Sequence, residues 1–467
     1  MNRRIWILAV MGTILFCLFG GMAVSGATDA QASPVSPSDS VTLEKATDIA
    51  SQVHYLAFSG VYAKAQQVRL RQTDSTDGYY YAEALDGDEL TFRHSYGTTL
   101  TLESKTAFSR VYIKLESSAH WKLRLPDGTV RNSSLYGYLH ELADLGQSVK
   151  KVELILPRHT KLTDVTAYTD GRLPDDVQVW QPPCEKADLL VMPAHADDEH
   201  LWFGGALPYY AGELGYQVQV AYLTNHSGDT KRCHEQLNGL WKVGVRHYPV
   251  ITNRFPDVMG PGTTWKQAAR RYGKQNVLDF EVEMLRRFRP DVVIAHDVNG
   301  EYGNGAHSLY ARLLPEAAEA AGDASRFPVT ASQFGVWHVS KCYLHLYDKN
   351  RIVVRWSKMP LKRFGGKSAL QVARSGFACH VSQQGWLKVR EEGAYDCRKF
   401  GLAYTAVGKD TPGRNDMFEH VARPKTDKPQ KEESGEPVAP QLLAPQAVVP
   451  WVGTPSVTAG MAAIVTD

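Results

Sequence analysis

The 467-residue chain carries 52 Lys and Arg against 50 Asp and Glu, and 43% of its residues are hydrophobic. That length exceeds one ordinary domain, and the apolar fraction is enough to build real cores. The near-neutral balance excludes a basic field for nucleic acid, so no nucleic-acid partner is expected and function has to be argued from a site.

Arg3 and Arg4 precede an uncharged apolar stretch, Ile5 to Val24, and small residues follow in SGATDAQAS. Basic, then apolar, then small is the order of a secretory signal, while the apolar stretch also approaches the roughly 20 residues that span a bilayer. Residues 1–26 are therefore read as a signal peptide or a membrane anchor, with membrane attachment through residues 5–24. Either reading makes the protein secreted or membrane-anchored, facing outside the cytoplasm. Cys17 lies in this segment, and Cys184, Cys233, Cys342, Cys379 and Cys397 form no CxxC pair, which argues against a cysteine zinc site. In an exported protein these cysteines predict one or two disulfides, with Cys379 to Cys397 the first pairing to expect.

Residues 27–45 are polar and read as a linker. Across 46–182 the runs Val111–Leu115, Trp121–Leu125 and Val152–Leu156 alternate apolar and polar residues, with turn signals such as PDG at 126–128 between them. This pattern predicts a β-sandwich-like domain. Tyr79 to Tyr81 could stack on sugar rings, or could be ordinary strand residues, so the domain is a candidate carbohydrate-binding module.

After Pro182 and Pro183 the rhythm changes. Strands are predicted at Leu189–Met192, Val218–Leu223 and Val292–Ala295, and helices at Glu199–Leu214, Lys231–Val243, Val277–Phe288 and Ala306–Ala321. Strands alternating with helices predict an α/β fold over 183–422, a Rossmann-like mostly parallel sheet with flanking helices, separable from the β domain before it. Ligands of such folds lie beyond the C-terminal strand ends. Residues 423–467, rich in Pro, Lys, Glu and Ala, cannot bury a core and are expected to be disordered.

Two predicted strand ends carry chemistry. PAHADDEHLWFGG at 193–205 offers His195, Asp197, Asp198, Glu199 and His200, and HDVNGEYGNGAH at 296–307 offers His296, Asp297, Glu301, Tyr302 and His307. A lone histidine is more often structural, but two such loops at strand ends match the three nitrogen or oxygen ligands plus open position of a catalytic zinc.

HADDE with the downstream GEYGNGAH resembles the PIG-L/LmbE-like zinc-dependent N-acetylglucosaminyl deacetylases, whose first motif is usually (P/A)HPDDE and whose second ends in HxxH. The likeness runs over about residues 185 to 385. It implies one Zn2+ per chain held by His195, Asp198 and His307, with Asp197 as general base and Tyr302 stabilising the oxyanion. Glu199 reads either as an orienting group or as a helix N-terminal carboxylate. His380-Val-Ser-Gln is similar to a late H-x-S-Q segment whose role the likeness leaves open.

Ala196 replaces the family's proline. Asn304 stands where the family has the first histidine of HxxH, and an amide cannot transfer a proton. Asp197 then serves as both base and acid, or His200 or His296 steps in, or activity is low. The leading expectation is an exported zinc amidase that removes N-acetyl groups from an N-acetylglucosamine-type sugar or glycan. The alternatives are a zinc amidase for another amide and a decayed, glycan-binding relative.

Overall fold

The computed structural model describes residues 62–72, 82–89, 91–96, 99–133, 136–226 and 229–422. The N-terminal apolar segment, the linker, Tyr79 to Tyr81 and the tail from 423 lie outside the described residues. Among the described residues, no helix is long and apolar enough to cross a membrane.

The first half is β apart from a 3₁₀ turn at Ala82–Ala84. Its strands are β1 (Ala65–Gln66), β2 (Val68–Gln72), β3 (Arg93–Tyr96), β4 (Thr99–Leu115), β5 (Lys122–Arg124), β6 (Val130–Asn132), β7 (His140–Ile155) and β8 (Arg158–Tyr168). Every pairing among them is antiparallel. The long strand β4 breaks register against β7 between Glu103 and Arg110. Before that irregularity β4 lies between β2 and β7, and after it between β7 and β8. Residues of both halves, Leu100 and Leu102 with Val111, Ile113 and Leu115, meet in one core. Tyr112, one residue out of phase, joins a separate cluster with Tyr168. Period-two alternation thus becomes a sandwich-like core by bending the strands.

The second half is α/β. Its strands are β9 (Leu189–Val191), β10 (Val218–Tyr222), β11 (Val250–Ile251), β12 (Val292–Ala295), β13 (Lys341–His345), β14 (Arg351–Val353) and β15 (Lys399–Thr405). Its helices are α1 (Asp198–Leu201), α2 (Thr230–Lys242), α3 (Trp265–Tyr272), α4 (Lys274–Phe288), α5 (Gly305–Ala321), α6 (Pro328–Phe334) and α7 (Ala369–Phe377). The sheet order is β11-β10-β9-β12-β13-β15-β14. The five strands from β11 to β13 are parallel, and β15 and β14 close the edge antiparallel. The winding direction reverses between β9 and β12, the Rossmann-type switch point where such sheets place their ligands. Leu189 and Val191 face one core and Leu190 the other, so β9 is apolar without alternation because both its faces are covered.

Two sequence expectations are corrected. The helix expected over Glu199–Leu214 is broken: α1 is followed by a turn and then a π-helical segment, Pro208–Glu213. Gly204 adopts φ 53, and a Cβ there would stand 2.8 Å from Trp356, so neither the backbone nor the space admits a regular helix. The disulfide between Cys379 and Cys397 does not form, and all five described cysteines are free. Cys397 is buried against Gly204, whereas Cys379 turns its thiol to the carbonyl of Ser375 at the end of α7.

The two halves meet through buried polar and aromatic groups. Tyr138 stacks on Tyr248 with ring centroids 3.9 Å apart, and His140 Nε2 lies 2.6 Å from His234 Nδ1. Burial holds His140 well below the ordinary imidazole range and brings His234 down to about 4. The unfolded chain takes up these protons from about pH 6.5 downward, while folded His234 resists until about pH 4. Stability is therefore full above pH 6.5 and is lost as pH falls toward 4. Denaturant titrations across that window should show the decline, and His234→Gln should flatten it. An unchanged slope in the variant would rule out this imidazole as the source.

Candidate functional site

Every parallel strand delivers a titratable residue at or just beyond its C-terminal end: His195 after β9, His226 after β10, Asp257 after β11, His296 after β12 and His345 at the end of β13. Parallel order makes these ends share one side of the sheet.

His195, Asp198 and His307 converge there. Asp198 Oδ2 lies 3.2 Å from both His195 Nδ1 and His307 Nε2, and the two ring nitrogens are 2.9 Å apart. All three side chains are buried, and their ligand atoms could hold a metal ion. The outer nitrogens confirm the fit. His307 Nδ1 donates to Glu301 Oε2 at 2.8 Å, which leaves the Nε2 lone pair facing the cluster. His195 turns Nδ1 inward, and its Nε2 faces Asp257 Oδ1 at 3.3 Å without closing a hydrogen bond. The carboxylate hydrogen-bonded behind His307 fixes the tautomer that a metal requires.

Glu301 is the hub of the support layer. Fully buried, it takes His296 Nδ1 (2.9 Å) and His307 on Oε2, and His345 Nδ1 (2.6 Å) and the Asp297 N–H (3.1 Å) on Oε1. Burial alone would raise its pKa, but His296, His307 and His345 outweigh that and hold it well below the carboxylate range. His296 Nε2 accepts the Ala194 N–H at 2.8 Å, so that lone pair is spent and His296 supports the loop. Asp198 behaves like Glu301: burial raises it, and His307, His296 and His195 hold it low. Its second oxygen accepts from Trp202 Nε1 at 2.7 Å.

Asp197 caps α1 at φ 115, a left-handed conformation that costs of order 1–3 kcal/mol for a residue with a Cβ. The turn places adjacent carboxylates on different targets, with Asp198 in the cluster and Asp197 beside it, 3.8 Å from Arg232 Nη2. Arg232 also donates to the carbonyl of Ala196. Burial, and then the charge of Asp198, raise Asp197 well above the carboxylate range, with Arg232 opposing. Tyr302, also left-handed at φ 46, edges onto His307 with centroids 5.4 Å apart. Burial, then Asp198 and Asp197, push its phenol far above the ordinary range, so it remains a proton-bearing donor.

Both ends of the Asn304 amide are engaged, and its side chain also hydrogen-bonds Tyr302. Its Oδ1 accepts the Ala306 N–H at 2.9 Å as the N-cap of α5, and its Nδ2 donates to the carbonyl of Met259 at 3.0 Å. The groups weighed as substitutes are engaged or turned away: His296 as above, and His200 toward Glu199 and His380 behind α1. Asp297 is tied to Asn299, whose N–H lies 3.0 Å from Oδ1. Sequence reasoning missed His345, Arg232, His226, Asp257 and Trp386. His345 and His226 follow strands and were findable by the strand-end rule. Arg232 and Asp257 carry no local signal.

A doubly wound sheet carries, at its switch point, a two-histidine, one-carboxylate cluster that could hold a metal ion. Residues 190–318 match the family model "PIG-L: GlcNAc-PI de-N-acetylase" and are a PIG-L family domain. The chain is 28% identical over 202 residues to a 1D-myo-inositol 2-acetamido-2-deoxy-alpha-D-glucopyranoside deacetylase 1 of Catenulispora acidiphila, covering 38% of this chain and 60% of that protein. It is 31% identical over 179 residues to the corresponding deacetylase of Rhodococcus opacus, covering 33% and 60%. The chain thus spans 60% of the length of these relatives. Among solved structures, it is similar to an N,N'-diacetylchitobiose deacetylase from Pyrococcus horikoshii at 17% identity and a TM-score of 0.33, covering 44% of this chain and 74% of that one.

His307→Ala should strip the metal from this cluster while the domain stays folded, and Glu301→Gln should weaken binding about 10- to 100-fold, the usual cost of losing an outer-shell partner. Isothermal titration of metal into the apo-proteins checks both. An undiminished number of bound ions in His307→Ala would exclude that residue as a ligand.

Proposed function

We propose that this domain is a zinc-dependent amide hydrolase that removes the N-acetyl group from an N-acetylglucosamine-type sugar or glycan. The convergence of His195, Asp198 and His307, with a strained Asp197 beside them, carries this reading. The donor set suits zinc, since two imidazoles and one carboxylate leave an open fourth position. Bound there, zinc would act as a Lewis acid and lower the pKa of water to about 7.

The chain's own residues supply the rest. Asp197 takes the proton from the attacking water and returns it to the departing nitrogen, so the C–N bond breaks with acetate and a free amine as products. Tyr302 donates its hydroxyl hydrogen bond where negative charge develops on the acetyl oxygen. Arg232 holds the Asp197 carboxylate in place. Asn304 caps α5 and takes no proton, so one carboxylate serves as both base and acid. Trp386 is 63% exposed and meets Tyr302 edge to face with centroids 5.6 Å apart, a surface suited to the apolar face of a sugar ring. The basic, apolar and small order at the N-terminus supports a substrate outside the cytoplasm.

Acetate and amine release from N-acetylglucosaminyl-inositol, N,N'-diacetylchitobiose and peptidoglycan fragments tests the activity. Metal-loaded protein that binds these sugars and releases no acetate would overturn it. Asp197→Asn should keep its metal and lose at least about 100-fold in kcat. Asn304→Ala should cost far less in rate and about 1 kcal/mol in stability, the usual loss for an N-cap. Equal, severe rate losses in the two variants would refute a single-carboxylate mechanism. Trp386→Ala should raise KM with kcat nearly unchanged, the mark of lost uniform binding.

A further inference from the structure

Behind the catalytic turn lies a second convergence of ligand-type side chains. Glu199 and His200 come from α1 and His380 from just beyond α7, and all three are fully buried. His200 Nε2 and His380 Nε2 each stand 3.4 Å from Glu199 Oε1. That is too long for a buried hydrogen bond, whose usual length is about 2.9 Å. Glu199 Oε1 and both ring nitrogens of both histidines have no hydrogen-bond partner. Buried polar atoms are almost always satisfied, and a cluster of orphans signals an ion or water in their midst.

The geometry favours an ion. Four ligands at the 2.0–2.2 Å of a tetrahedral zinc lie roughly 3.4 Å from one another, which matches both Glu199 contacts. The neighbouring helices make room. A Cβ on Gly239 of α2 would come within 2.8 Å of the Nε2 atoms of both His200 and His380, and one on Gly376 of α7 within 2.5 Å of the His200 ring. Glycine inside a helix costs about 1 kcal/mol relative to alanine, and the close approach of two imidazoles explains both positions. The cluster of Glu89, His140 and His234 between the two halves is different, because its carboxylate and His140 are already matched and only His234 Nε2 is left over. Lys114 and Asn238 hold Glu89, and Gln178 holds His140.

We propose that Glu199, His200 and His380 bind a second, structural divalent cation of the zinc class, distinct from the one at His195, Asp198 and His307. Glu199 gives its other oxygen to the Asp197 N–H at 2.9 Å, so an ion on Oε1 anchors the strained backbone of the base. It also ties the catalytic turn to the end of α7. These residues act by positioning, and the inference does not depend on which amide the catalytic centre cleaves.

The test uses the full chain saturated with zinc, dialysed against buffer, and measured by elemental analysis and by anomalous diffraction at the zinc edge. Wild type should hold two ions per chain. His307→Ala should retain one, with its anomalous peak between Glu199, His200 and His380. His380→Gln should keep only the catalytic ion, unfold at lower temperature and lose about 10- to 100-fold in rate, as expected when a supporting contact is removed. One ion in wild type and none in His307→Ala would overturn the proposal, and so would density at the second locus with no anomalous signal. If His380→Gln does not fold, wild type and His307→Ala decide the matter.

Discussion

The charge of Glu301, buried where no solvent reaches it, is the constraint on which the centre depends. Sequestering a carboxylate costs several kcal/mol, and here four N–H donors offset it: three imidazoles and the Asp297 backbone. Each donor belongs to a different part of the site. His307 belongs to the cluster with His195 and Asp198, His296 holds the Ala194 backbone that leads into the Asp197 turn, and His345 ends β13, the strand beside β12. One carboxylate thus sets the tautomer of a ligand, the path of a loop and the register of three strand ends.

The strain at the centre follows from the same packing. Asp197 and Tyr302 both hold left-handed backbone conformations, and neither has a glycine's freedom. Asp197 is kept there by its N–H to Glu199 and by Arg232, which grips both the Ala196 carbonyl and the Asp197 carboxylate. Tyr302 is kept there by the tight turn between Gly300 and Gly303, both at positive φ. Distortion of this kind persists only where the surroundings over-determine it. In this case it aims two consecutive carboxylates at different tasks.

Asn304 shows how an apparently damaging departure is absorbed. The residue that follows Gly303 must start α5, and asparagine is among the best N-caps because its side-chain oxygen accepts a free helix N–H. Its amide also reaches the Met259 carbonyl and so fastens the loop before α3 to the start of α5. The position serves as a structural clamp between two loops.

The alternation of 111–115 and the strand–helix rhythm after 183 determine the two architectures, because periodicity is a local consequence of which faces are buried. HADDE and GEYGNGAH likewise mark the Asp197 turn and the start of α5, since their residues meet close to where they stand in the chain. The sequence does not reveal that Gly204 and Gly205 stop a helix whose apolar pattern continues to Leu214; only Trp356, some 150 residues away and packed against them, decides that. Nor does it reveal that Cys379 and Cys397 remain apart, that Arg232 and Asp257 reach the centre, or that His200 and His380 face one carboxylate. Each of these depends on which distant elements the parallel sheet brings to one side, and that order is set by packing over the whole core rather than by any neighbouring residue.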